Sequence, residues 1–142
     1  MIPRSVQDYL RKDQGDILCS NFDRRLQVLN EIGVQTDTEF ARFYLKYHGP
    51  FISPHDAADL LDIDGPAIPS IPDQTRYASD RYQFPKNILA LTSDESEGMY
   101  LYDAVGMGVF DFDLTHHKLF IGGKIPVRWA SFNAFLLWYF ES

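Results

Sequence analysis

Between residues 93 and 114 the chain reads SDESEGMYLYDAVGMGVFDFDL. This stretch carries the carboxylates Asp94, Glu95, Glu97, Asp103, Asp111 and Asp113, and no Lys or Arg occurs between Lys86 and Lys118. Acids in this pattern suit three kinds of chemistry. Asp111 and Asp113 at i and i+2 of a strand would share a face about 6 to 7 Å apart, a separation that an inverting glycosidase uses for its acid and base. Such an enzyme needs a cleft that desolvates one carboxylate, which an exposed strand face lacks. Closely spaced acids in a loop also ligate calcium, but neither Asp62-Ile63-Asp64-Gly65 nor Ser93 to Glu97 completes an EF-hand ligand set. The third chemistry is electrostatic attraction of a basic macromolecule, which needs only that the acids be solvated and close together.

The remaining reactive groups are sparse. His116 and His117 are adjacent, so in a strand they would point to opposite sides, and solvated turn histidines are the expected reading. His48 falls in the last turn of a helix, where an imidazolium would favour the dipole, and His55 has no evident partner. Gly122-Gly123-Lys124 lacks the spacing of a phosphate loop, and no G-x-S-x-G, H-E-x-x-H or C-x-x-C occurs. The sequence therefore predicts no catalytic residue, no metal site and no cofactor.

The acids must be held by local structure. Phe110, Phe112 and Leu114 alternate with Val109, Asp111 and Asp113, so the first set faces a core and the second faces outward. A two- or four-residue loop at Asp103-Ala104-Val105-Gly106 would place Tyr100 and Tyr102 on the face of Asp111 and Asp113, with Met99 and Leu101 beside the phenylalanines. An odd-length loop would reverse that grouping. The favoured register predicts a binding patch of Tyr100, Tyr102, Asp103, Asp111 and Asp113, with Asp94, Glu95 and Glu97 in the preceding loop.

Around this hairpin the period of the sequence changes twice. Val6 to Lys12 reads as a short helical segment. Asn21 is a candidate N-cap for Asp23 to Ile32, stopped by Gly33. Thr36 and Glu39 have capping-box spacing, and Phe40, Phe43, Tyr44 and Tyr47 follow at i, i+3, i+4 and i+7 until Gly49-Pro50. From Phe51 to Pro85 the density of proline predicts an irregular connection, with a short helical possibility at Pro54 to Leu61. Ile88 to Thr92, Met99 to Asp103, Met107 to Leu114 and Lys118 to Ile121 read as strands of an antiparallel meander. Ser131 caps a final helix whose Phe132, Phe135, Leu136 and Tyr139 have core spacing. Helices, then strands, then a helix predict an α+β fold in which the Phe40 and Phe132 helices complete the core under Met99, Leu101, Phe110 and Phe112. Leu137, Trp138 and Phe140 leave that last helix few polar positions, so it is either enclosed or adds an apolar patch for a partner or a second copy.

A chain of 142 residues with 45% hydrophobic content suits one self-sufficient domain, expected as a monomer or weak homodimer. Its net charge of −7 repels phosphate backbones and anionic lipid, which excludes generic nucleic-acid and membrane-surface binding and favours a basic protein. The lone Cys19 forms no internal disulfide, and the first residues lack the apolar run of a secretory signal. No stretch has the length of a membrane span, so the expected location is cytoplasmic.

Three segments resemble a known family. TEFARFYLKYHGPF is similar to the "x-F-x-x-F-Y-L-x-x-N-G" helix of the SUKH superfamily, which contains yeast cell-wall assembly regulators and bacterial toxin-immunity proteins. EGMYLYDAVGMGVFDFD resembles its strand–turn–strand segment, and SFNAFLLWYF its closing helix. The resemblance runs from about Leu26 to the C-terminus. It implies an α+β fold with a central, mostly antiparallel sheet and no catalytic residues and, for bacterial members, neutralisation of a toxin that is often a nuclease. A nuclease must hold a polyanion, so an acidic protein can occupy its basic face. The expected function is thus that of an immunity or inhibitor protein for a basic toxin domain. The alternatives are a regulatory scaffold domain, as the yeast regulators suggest, and a hydrolase using Asp111 and Asp113.

Overall fold

The computed structural model describes residues 1–13, 21–55, 57–65, 68–94 and 98–141. Its centre is a three-stranded antiparallel sheet in the order β1 (Ile88–Ala90), β2 (Gly98–Asp103), β3 (Val109–Asp113). Among the described residues six α-helices surround it: α1 (Arg4–Asp13), α2 (Phe22–Glu31), α3 (Glu39–Lys46), α4 (Ile71–Tyr82), α5 (His117–Ile121) and α6 (Phe132–Tyr139). The protein is α+β, as the order of periodicities predicts.

Both faces of the sheet are covered, and this determines which acids remain available. On one face Leu89, Tyr102 and Val109 join an aromatic core built by α1, α2, α3 and α6, in which the Phe40 ring lies 4.6 Å from that of Tyr102 and 5.1 Å from that of Phe132. On the other, Ile88, Ala90, Met99, Leu101 and Phe112 pack with Ala78, Tyr82, Phe84 and Phe120 from α4, α5 and their flanks. The Phe40 and Phe132 helices therefore pack on the face opposite to the expected one. Met99, Leu101 and Phe112 do cluster, with Phe110 half-buried beside them, but α4 and α5 cover them.

Helix α4 replaces much of the expected irregular stretch. Ser70 accepts from the Asp73 N–H while the Asp73 carboxylate accepts from the Ser70 N–H, a complete capping box, and Pro72 sits in the first turn, where its missing donor costs nothing. The described residues of Pro54 to Leu61 form no helix; Phe51 and Leu60 instead pair as an isolated antiparallel bridge. Helix α3 is capped by Thr38, whose hydroxyl accepts from the Ala41 N–H at 3.2 Å, rather than by Thr36. That shift frees Glu39 to cap α6, its Oε1 accepting from the Asn133 N–H at 3.0 Å. The segment expected as a fourth strand is α5: the Asp113 carboxylate takes the Thr115 N–H and turns the chain out of β3, which lets Phe120 fall onto Phe112 and Phe84. At the C-terminus Phe140 is buried, Trp138 is half-buried and Leu137 is exposed, so the last helix is enclosed on most of its circumference but not all.

Among the described residues one ion pair lies inside the fold. Arg25 of α2 forms a bidentate pair with Asp62 at 2.8 and 2.6 Å, and donates to the Tyr44 carbonyl at 2.9 Å. Asp62 also accepts from the Gly49 and Ile63 N–H groups, so both charges are saturated with partners as burial demands. The Asp62-Ile63-Asp64-Gly65 acids are thereby committed to cations of the chain, Asp64 lying 3.7 Å from the Arg24 guanidinium.

Candidate partner-binding surface

The hairpin groups its faces as the alternation predicts, but its loop falls one residue later than Asp103-Ala104-Val105-Gly106, which shifts the pairing. Tyr100 pairs with Asp111, Tyr102 with Val109 and Gly98 with Asp113. The Asp103 N–H bonds to the Gly108 carbonyl, leaving Ala104 to Met107 as a four-residue loop. Even parity thus puts Tyr100, Tyr102, Asp111 and Asp113 on one face, and burial then divides them. Tyr102 is fully enclosed between Phe40 and Phe132, so it is a core residue and not the expected surface anchor. Burial, helped by the nearby Glu39 and Asp103 charges, pushes its phenol up to about 12. Tyr100 is half-buried and keeps a reachable edge; burial and then the Asp111 charge raise its phenol as well.

The acids themselves differ. Asp111 and Asp113 are exposed on β3, and Asp103 is half-exposed at the hairpin turn. Asp113 accepts from the Thr115 N–H at 2.9 Å and hydroxyl at 2.8 Å, and these bonds hold its carboxyl below the usual range. For Asp103 burial acts upward, but bonds from the Asn87 side chain and from the Gly106 and Val105 N–H groups together outweigh it and lower the carboxyl. Asp94 takes the Tyr82 hydroxyl at 2.5 Å, which ties the loop before β2 to α4. Glu95 and Glu97 lie outside the described residues.

A cation that the hairpin sequence does not contain reaches it from further along the chain. Trp129 forms an antiparallel bridge with Val109, its N–H and carbonyl both bonded to that residue, so the Val127 to Trp129 segment lies along the free edge of β3. Gly108 permits this approach: a Cβ there would come within 2.7 Å of the Val127 side chain and 3.1 Å of the Trp129 carbonyl. The segment lays the Arg128 guanidinium 4.4 Å from the centre of the Trp129 ring, 5.0 Å from that of Trp138 and 2.5 Å from Asp111 Oδ2. Tyr100 meets both indoles edge-on at 5.6 and 5.5 Å. His55 stacks on Trp138 at 5.2 Å and makes a 2.8 Å bond between its Nε2 and the Trp138 carbonyl, the partner that its sequence context did not reveal. Comparison with protein-family models gives no match, and comparison with curated proteins gives none.

The surface thus combines solvated carboxylates with an aromatic pocket that already holds a guanidinium. Past the hairpin turn it continues into a groove of about 700 Å³ whose walls include Arg42, Val105, Met107 and Phe132. Val105 is 77% exposed there, so the acidic edge has an apolar neighbour. The sequence singles out neither Arg128 nor Trp129, offers Trp138 only as part of an apolar patch of the last helix, and gives His55 no evident partner. The one available signal was the adjacent Arg128-Trp129 pair, a cation next to an aromatic ring; its distance to Asp111 depends on the β3 edge pairing. Elsewhere, His117 donates its Nε2–H to the Tyr82 carbonyl and packs on Phe112, while His116 is exposed. Among the described residues no group of three or more His, Cys, Asp or Glu side chains converges, and no helix is long and apolar enough to cross a membrane.

Proposed function

We propose that this is a non-enzymatic inhibitor or immunity protein of the cytoplasm that binds a basic protein, a toxin domain of the nuclease kind being the partner that the SUKH resemblance implies. The observation that carries this reading is the exposed acidic edge: Asp111 and Asp113, exposed on β3 beyond the part of their face that Tyr102 and Val109 bury in the core, with Asp103 at the turn, in a chain stretch without Lys or Arg. Charges so placed act chiefly on encounter, because potentials of one sign steer an oppositely charged partner before contact. Tyr100 supplies a rigid amphipathic contact beside them, the type of residue that contributes binding energy at interface centres.

The test is capture of a partner from the native organism, followed by assay of whether the chain inhibits what it captures. Association kinetics then locate the surface. Asp103→Asn, Asp111→Asn and Asp113→Asn together are expected to slow association about tenfold or more at low salt and to flatten its salt dependence. Tyr100→Ala is expected to raise the dissociation rate instead. Association and dissociation rates unchanged in both sets would exclude the hairpin as the interface.

A further inference from the structure

The pocket around Arg128 has the composition of a guanidinium receptor. Two indole faces and a carboxylate hold the planar group, and the Tyr100 ring packs against both indoles at about right angles. Indole is the best aromatic partner for a cation, and a planar guanidinium both stacks on it and bonds a carboxylate through its fork of N–H donors. The pocket is rigid where it needs to be. Trp129 is held by backbone pairing to Val109, the two indoles lie 4.9 Å apart, and His55 stacks on Trp138 and bonds its carbonyl. Its occupant is less constrained. The Arg128 side chain is 47% exposed and Asp111 43%, so the guanidinium stays in contact with solvent.

We propose that Tyr100, Asp111, Trp129 and Trp138 form a guanidinium-binding cage, which Arg128 closes in the free protein and an arginine of a basic protein partner occupies in the complex. This rests on the reading of the hairpin as a surface for a basic protein and names the side chain it takes. Exchange has an electrostatic consequence. While Arg128 sits on Asp111 it offsets one of the acids of the edge, and its release restores that charge to the partner. It also sets a threshold, because a tethered group competes at an effective concentration of about millimolar. A lone arginine therefore fails to displace it, whereas an arginine carried by a partner that already engages Asp103 and Asp113 succeeds.

Both tryptophans of the chain lie in the cage, so intrinsic fluorescence reads it directly. The experiment titrates N-acetyl-arginine amide into wild type and Arg128→Ala, with N-acetyl-citrulline amide as the uncharged control. The expected result is a saturable tryptophan response in Arg128→Ala at concentrations about tenfold or more below any response of wild type. Adding Asp111→Asn or Trp138→Leu should abolish that saturation, and the citrulline probe should give none. Should Arg128→Ala not fold, Arg128→Gln, which keeps the stem of the side chain, carries the same expectation. A folded Arg128 variant that gives no saturable response, or one that responds equally to the citrulline probe, would overturn the cage. No partner is needed for this titration, so its failure leaves the acidic steering of the proposed function to be judged separately by the salt dependence of association.

Discussion

Asp62 and Asp111 are each paired with an arginine at close range, and the two pairs have opposite characters. Asp62 and Arg25 are sealed inside the fold, with side chains 2% and 0% exposed, and they are further bonded to the Tyr44 carbonyl, the Gly49 and Ile63 N–H groups and the Asn21 and His48 side chains. Asp111 and Arg128 are nearly half exposed, and the arginine rests on aromatic faces instead of in a full set of hydrogen bonds. The chemistry of the two contacts is the same, but the dielectric is not. A buried pair cannot open without stranding a charge, whereas a solvated pair opens at little cost because water takes the place of the lost partner. The first pair fixes α2 to the loops that follow α3; the second has the lability that an exchangeable contact needs.

The largest expected effect tests the buried pair. Arg25→Ala leaves the Asp62 carboxylate without its partner in the core and should cost about 3 to 5 kcal/mol in denaturant unfolding. Replacing both members by apolar residues of similar volume should recover much of that loss, because the stranded charge, more than the absent attraction, is what destabilises. A single-mutant loss no larger than that of a surface pair would erase the distinction between the two sites.

A second test applies the same contrast to the hairpin tyrosines. The buried Tyr102 has its phenol raised to about 12, and burial raises Tyr44 and Tyr139 in the same direction. The unfolded value is about 10, so the folded state favours the neutral phenol. This contribution to stability is complete below about pH 10 and is lost as pH rises toward about 12. Tyrosinate absorbance and circular dichroism followed together in alkali should show these phenols ionising with the unfolding transition. Tyr102→Phe should shift that transition to higher pH. Ionisation of the buried phenols well before loss of structure would show that the Phe40 and Phe132 layer does not seal the sheet.

The smallest effect belongs to the exposed pair. Asp111→Asn should change unfolding free energy by only about 0 to 1 kcal/mol, with the difference shrinking as salt is added. A loss matching that of Arg25→Ala would mean that Arg128 is fixed in place and not available for exchange.

Local pattern made much of this molecule legible. The alternation of Phe110, Phe112, Asp111 and Asp113 determined the faces of β3, and even loop parity determined which residues of β2 they join. Ser131 and the spacing of Phe132, Phe135, Leu136 and Tyr139 determined α6. Other local signals conflict: Ser70-Ile71-Pro72-Asp73 contains a capping box with a first-turn proline, while the density of prolines around it suits irregular chain. The Lys118 to Ile121 stretch has an apolar content that suits a strand or a buried helical turn equally, and the Asp113 cap upstream decides for the turn.

What the sequence alone determined, then, is the class of fold, the hairpin and the charge of its edge, because these follow from side-chain periodicity and from a sum of charges that folding does not alter. Only the tertiary structure decided which tyrosine of the patch stays reachable, since two positions that are equivalent on a strand become different when α3 and α6 cover one of them. Only the tertiary structure brought Arg128, Trp129 and Trp138 onto Asp111, because that meeting depends on chain returning along the edge of β3 after α5. It likewise turned Asp62 inward onto Arg25, across an interval in which nothing local distinguishes a buried acid from a solvated one. Periodicity reports what a residue's neighbours in sequence require of it, while burial and ion pairing depend on what arrives from elsewhere in the chain.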